Sequence, residues 1–149
     1  MKPKILITRR WPQAVETRLA QHYEVTLNES DTPLGLEQLR AAMGDYDALC
    51  PTVSDRVPAE VLSAPGARVR IIANYGAGYE HIDLEAAKAA GIAVTNTPDV
   101  LTDATAELAL LLMLTAARRS GEGERELRAG AWQGWRPTHL LGQSLAGKT

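Results

Sequence analysis

A chain of 149 residues and 16.1 kDa is the size of one ordinary domain and long enough to bury a real core. Its apolar share of 45%, charged share of 23% and net charge of −2 are those of ordinary globular proteins, with no electrostatic case for nucleic acid or an anionic membrane. One cysteine, Cys50, excludes an internal disulfide framework and a thiolate metal site, and it fits a reducing, cytoplasmic location.

The opening Met1-Lys2-Pro3-Lys4 leads into a strand-like run too brief for a signal peptide. Ile5-Leu6-Ile7 is continuous and apolar, as in a strand buried on both faces. Trp11 to Gln21 reads as a helix with Val15 and Leu19 four apart on one face. Tyr23 to Leu27 is a second strand, and Leu36, Leu39 and Met43 form a helical stripe. Asp47 to Cys50 is a third strand, halted by Pro51. Pro58 to Leu62 makes a short helix with proline at its start, where a missing N–H does no harm. Val69 to Ala73 is a fourth strand, Leu84 to Ala90 a helix stopped by Gly91, and Ile92-Ala93-Val94 a fifth strand. Strands separated by helices imply right-handed crossovers. The expected fold is α/β, a flavodoxin-like five-stranded parallel sheet of order 2-1-3-4-5.

After Asn96-Thr97-Pro98 the character changes, which divides the chain into residues 1–99 and 100–149. Ala104 to Arg119 reads as one helix apolar nearly all round, which implies burial on several sides. Thr102 or Asp103 is expected to cap it, and Glu107 suits the positive end of its dipole. The Thr105 hydroxyl serves equally well for a backbone bond or a ligand. Glu122 to Arg128 is a second helix, ending at Gly130, and the tail carries Trp132, Trp135 and Pro137 without a clear period. The most apolar stretch, Leu108 to Ala117, is well short of the ~20 residues of a membrane span. So greasy a helix calls for a packing partner, and the ending Leu145 to Thr149 reads as a stop in mid-motif.

Open parallel sheets bind ligands outside the carboxyl ends of their strands. Those ends carry Thr8-Arg9-Arg10, Pro51-Thr52-Val53, Asn74-Tyr75-Gly76-Ala77-Gly78 and Asn96-Thr97-Pro98-Asp99. Two glycines one residue apart leave backbone amides able to reach an anion, or simply make a tight turn needing positive φ. A dinucleotide fingerprint is rejected, because His81 stands where the third glycine would allow close helix packing. A phospho-receiver lacks its acidic residues, and a flavin site lacks a hydroxyl-rich loop after the first strand. Cys50 reads as core rather than nucleophile, and His22, His81 and His139 have no metal spacing. Trp132, Trp135 and Arg136 suit packing or a subunit interface better than base stacking.

Asn74 to Asp83 resembles the signature of the D-isomer-specific 2-hydroxyacid dehydrogenases. So do Gly91 to Pro98 and Leu101-Thr102-Asp103-Ala104-Thr105-Ala106-Glu107, in the right order and at the right distances. Trp132 to Pro137, with Leu141-Gly142 and Gly147-Lys148-Thr149, looks most like the glyoxylate and hydroxypyruvate reductase branch. The resemblance implies a two-lobed NAD- or NADP-dependent enzyme acting on a small 2-oxo or 2-hydroxy acid. It implies that Tyr75 and the amides of Gly76, Ala77 and Gly78 meet the substrate carboxylate. It further implies that Leu49, Thr52 and Val53 line the pocket, and that Leu101 and Thr105 touch the nicotinamide end of the cofactor. Helix 104–119 would then start a truncated Rossmann lobe, and homodimers would pair through that helix and the Trp132/Trp135 tail. The glycine-rich dinucleotide loop and the catalytic arginine, glutamate and histidine would lie beyond Thr149. No catalytic residue is therefore expected in this chain, which alone should be inactive. The other reading is a free-standing small-anion-binding or interaction module.

Overall fold

The computed structural model describes residues 1–148, which fall into two compact units, Met1–Val100 and a second from Leu101 onward. The first unit alternates β1 (Lys4–Ile7), α1 (Gln13–His22), β2 (Glu24–Leu27), α2 (Leu36–Asp45), β3 (Ala48–Cys50), α3 (Ala59–Leu62), β4 (Ile71–Ala73), α4 (Leu84–Ala89) and β5 (Ala93–Thr95). All pairings are parallel, and the strand order 2-1-3-4-5 is the one expected from the sequence pattern. Leu6 pairs with Leu49, which pairs with Ile72, which pairs with Val94.

Period-two alternation splits the strand side chains between two faces. Leu6, Leu49 and Ile72 join Leu39 and Met43 of α2, Val61 and Leu62 of α3, and Ala87 of α4 in the larger cluster. Ile5, Ile7, Ala48 and Cys50 face the other way, against Trp11 and Leu19. Each Leu or Ile wholly removed from water contributes about 1.5–3 kcal/mol, so the first cluster dominates the fold's stability.

Helix α1 departs from expectation in an informative way. It begins at Gln13 because Pro12 disfavours helical backbone at Trp11. Its inward position is taken by Glu16, 5% exposed, while Val15 is 38% exposed. The Glu16 carboxylate accepts a two-pronged grip from Arg10, Nε at 3.0 Å and Nη2 at 2.8 Å, and a third bond from the Trp11 amide at 2.8 Å. A buried charge so fully paired is tolerated where a lone one would not be. Further on, Gly91 stops the helix as expected, with φ +69°.

The second unit contains α5 (Thr102–Ala117) and α6 (Ser120–Arg128). Leu101 occupies the N-cap position, so Thr102 and Asp103 do not cap the helix; they form its first turn. Between the helices Arg119 adopts φ +53° and grips Glu122 through Nε at 2.9 Å and Nη2 at 2.7 Å. The expected burial of α5 is not found. None of its residues is buried, and Leu108 to Leu114 includes five leucine and methionine side chains more than half exposed after Leu108 itself. One 9-residue polar helix and a short tail offer too little apolar surface to cover it. No described helix is long and apolar enough to cross a membrane.

The Arg10 hydrogen bonds hold the Glu16 carboxyl below its ordinary value of 4.5. A depressed carboxyl contributes stability that is present above the ordinary value and lost as pH falls through the lowered one. Glu16→Gln should therefore flatten the pH dependence of urea-unfolding free energy below pH 4.5. An unchanged acid limb would show that the pair contributes nothing to folding.

Candidate functional site

Parallel strands deliver four loops to one edge of the first unit. The loop after β3 is tied to the end of β1 through Asp55, a carboxylate only 1% exposed. Its Oδ2 accepts from Thr8 Oγ1 at 2.6 Å and from the Thr52 amide at 2.9 Å. Its Oδ1 is buried with no hydrogen-bond partner among the described residues. The same loop is tied to the segment after β4. Tyr75 N donates to Pro51 O at 2.8 Å, Thr52 bridges Tyr75 in parallel, and Val57 N donates to His81 O at 2.9 Å.

Within Gly76-Ala77-Gly78 every carbonyl is accepting. Gly76 O takes Thr97 N at 3.0 Å and Asn74 Nδ2 at 3.2 Å, Ala77 O takes Asn96 Nδ2 at 2.8 Å, and Gly78 O takes Asn74 Nδ2 at 2.8 Å. The three amides of the same residues donate to nothing among the described residues. Consecutive free N–H groups are what an anion-accepting concavity requires, and those of Ala77 and Gly78 lie on peptides whose carbonyls, Gly76 O and Ala77 O, are held.

Neither Gly76 nor Gly78 has a positive φ, so the tight-turn explanation does not apply here. What Gly76 supplies is close approach: a Cβ there would lie 2.8 Å from Val53 Cγ1. At Gly78 a Cβ would meet only Glu80 Oε2, at 2.6 Å, the end of a flexible side chain.

Thr52, Val53, Tyr75, Gly76, Ala77 and Gly78 are thus gathered at one edge, with Val53 and Tyr75 exposed. Leu49 is not with them. Fully buried in β3, its side chain is core, because the inner residue of a central strand faces helices rather than the edge. Leu101 and Thr105 lie in the second unit at the start of α5, both exposed. The Thr105 amide donates to Leu101 O at 2.9 Å, and its hydroxyl makes no bond among the described residues. Cys50 has its thiol pushed up to about 12 by burial, which leaves no thiolate for nucleophilic work.

The sequence reading gave several residues at this edge no role in the site, although it named Asn74 and Asn96 at the strand ends. Trp11 stacks on Tyr75 with ring centroids 4.9 Å apart. Asp55, Asn74, Asn96 and His81 build the loops from beneath. The only signal for them was adjacency to the glycine loop and to strand ends.

The geometry defines an open parallel α/β domain with three free amides at its carboxyl edge, and the comparisons give the family. The model for the D-isomer specific 2-hydroxyacid dehydrogenase catalytic domain matches residues 5–144, and the chain belongs to that family. Glyoxylate reductase of Thermococcus onnurineus is 42% identical, aligned over all of this chain and 46% of the relative. Glycerate dehydrogenase of Hyphomicrobium methylovorum is 40% identical over 99% of this chain and 46% of the relative. The chain therefore spans about half the length of the curated relatives it matches. Among solved structures, the TT0316 protein of Thermus thermophilus superposes with a TM-score of 0.85 at 41% identity, over 95% of this chain and 45% of that one. The NADPH-dependent glyoxylate/hydroxypyruvate reductase of Sinorhizobium meliloti, in complex with NADP and malonate, superposes with a TM-score of 0.79 at 33% identity. It is covered to 45% by the whole of this chain.

Two substitution pairs check this construction. Gly76→Ala should push Val53 aside and cost about 1–3 kcal/mol, whereas Gly78→Ala, displacing only the Glu80 carboxylate, should cost little; thermal melts of both decide it. Asp55→Ala should cost about 1–3 kcal/mol by stranding the Thr52 amide and leaving the Thr8 hydroxyl only Cys50 O at 3.2 Å, with Thr8→Val less damaging. Equal melting temperatures for wild type and Asp55→Ala would refute that tie.

Proposed function

We propose that this chain is the substrate-side portion of an NAD(P)-dependent reductase. The reaction is reduction of a small 2-oxo acid of the glyoxylate or hydroxypyruvate type to the D-2-hydroxy acid. The observation that carries the reading is the row of free amides at Gly76, Ala77 and Gly78, backed by held carbonyls. Donors fixed before the ligand arrives cost no reorganisation when a carboxylate binds. On this reading Thr52, Val53 and Tyr75 line the pocket, with Trp11 stacked behind Tyr75.

Nicotinamide chemistry would supply the hydride. Leu101 and Thr105 offer an apolar surface and a free hydroxyl suited to the nicotinamide end of NAD or NADP. The described glycine loop does not fit the pyrophosphate, since His81 fills the place of a third glycine. No step of hydride transfer is therefore assigned to residues of this chain. The catalytic acid–base group and the dinucleotide loop belong, on this reading, to sequence beyond Thr149.

The uncovered leucines of α5 support a whole protein in which residues 100–149 begin a Rossmann lobe. The same surface, with Trp132 54% and Trp135 83% exposed, supports a homodimer paired through helix 104–119 and the tryptophan tail. The setting is cytoplasmic, with Cys50 as a free thiol.

The purified 149-residue chain should show no NAD(P)H-dependent reduction of glyoxylate, and a protein more than twice 16.1 kDa that contains it should show that activity. Turnover by the short chain alone would overturn the assignment of the chemistry to the remainder.

A further inference from the structure

The Ala77 and Gly78 amides belong to peptides whose carbonyls, Gly76 O and Ala77 O, are engaged, and besides the Thr97 amide on Gly76 O the groups that engage the loop's carbonyls are two asparagine side chains. Asn74, 3% exposed, ends β4 and reaches forward with Nδ2 to Gly76 O and Gly78 O. Asn96, just after β5, spans from the neighbouring strand to Ala77 O. A carbonyl only accepts, so the nitrogen of the Asn74 amide must face the loop and its oxygen must face away. That oxygen lies 3.0 Å from His81 Nε2. The imidazole must therefore carry a proton on Nε2 to donate to it. Burial lowers the His81 pKa, which favours a neutral ring, and a neutral ring then has to be the Nε2–H tautomer.

A chain of orientation follows: His81 sets Asn74, and Asn74 sets the peptides of the loop. The need for it lies in the loop's own composition. Glycine peptides rotate at little cost, and a flipped peptide would aim a carbonyl dipole at an incoming anion instead of an N–H. Neither loop glycine is held by a strained φ, so the side-chain bonds are what select the orientation.

We propose that Asn74, oriented by His81 and assisted by Asn96, is a positioning residue: with Asn74 on the Gly76–Ala77 peptide and Asn96 on the Ala77–Gly78 peptide, the Ala77 and Gly78 amides are held toward a substrate carboxylate. The proposal rests on the reading of that loop as the anion site. Its experiment separates the two claims.

The ring nitrogens of His81 and the amides of Gly76, Ala77 and Gly78 are followed by NMR, first in ligand-free protein and then during titration with oxalate. In wild type His81 should be the Nε2–H tautomer, and oxalate should shift the three amides. Asn74→Ala, Asn74→Asp and His81→Leu should weaken oxalate binding about tenfold or more, with cooperative unfolding retained. His81→Gln, which keeps an N–H of similar reach, should restore affinity to within about twofold of wild type.

An Nδ1–H tautomer in wild type overturns the proposal without any variant. So does oxalate binding by Asn74→Ala or His81→Leu as tight as wild type. A loss in His81→Gln equal to that in His81→Leu means that bulk, not hydrogen bonding, matters, and it overturns the relay. If Asn74 variants move the ligand-free amides while oxalate shifts nothing in wild type, the anion reading falls and the tie between asparagine and loop stands.

Discussion

Everything at the candidate site depends on the parallel pairing of the five strands. Parallel ladders bring every carboxyl end to one edge, so the loops after β1, β3, β4 and β5 have no choice but to meet there. The sheet's register then becomes the register of the site. Leu6, Leu49 and Ile72 stand side by side in the core, and Thr8, Thr52 and Tyr75 follow beyond them. Hydrophobic burial in the middle of the sheet fixes, a few residues further on, which polar groups become neighbours.

Those neighbours are joined by hydrogen bonds rather than by packing. Asp55 links the first and third loops, the Tyr75 amide links the third and fourth, and Asn96 links the fifth strand back to the fourth. A carboxylate this deeply buried is costly, and Asp55 offsets that cost through Oδ2 alone, its Oδ1 having no partner among the described residues. One of its bonds goes to the Thr52 amide, which has no other acceptor among the described residues, and another to the Thr8 hydroxyl, which also reaches Cys50 O at 3.2 Å.

Strand order and most elements were legible from short aliphatic runs and from Gly91, because burial on both faces of a parallel sheet leaves an unbroken apolar signature. The glycines themselves were legible, but not their reason, which is not positive φ: Gly76 makes room for Val53, and no local pattern announces a contact with a residue 23 positions earlier. Leu49 was misplaced because chain proximity to Thr52 does not reveal that a central strand points its side chains at helices. Glu16 was unreadable for a similar reason. Its burial depends on Arg10, which reaches it only because Pro12 delays the helix. Side chains that serve the backbone, such as Asn74 and Asn96, carry no periodic signal at all.

Cys50 gives the molecule a built-in clock. The thiol sits in β3, paired on both sides by β1 and β4, and burial raises it to about 12. Alkylating reagents attack the thiolate, so in the closed sheet the sulfur is effectively silent. Modification can proceed only from states in which the middle of the sheet has parted, not from those in which a terminus or the exposed second unit merely loosens. With one sulfur of this kind in the sequence, the rate of labelling reads the opening of the innermost strand directly, free of any competing signal.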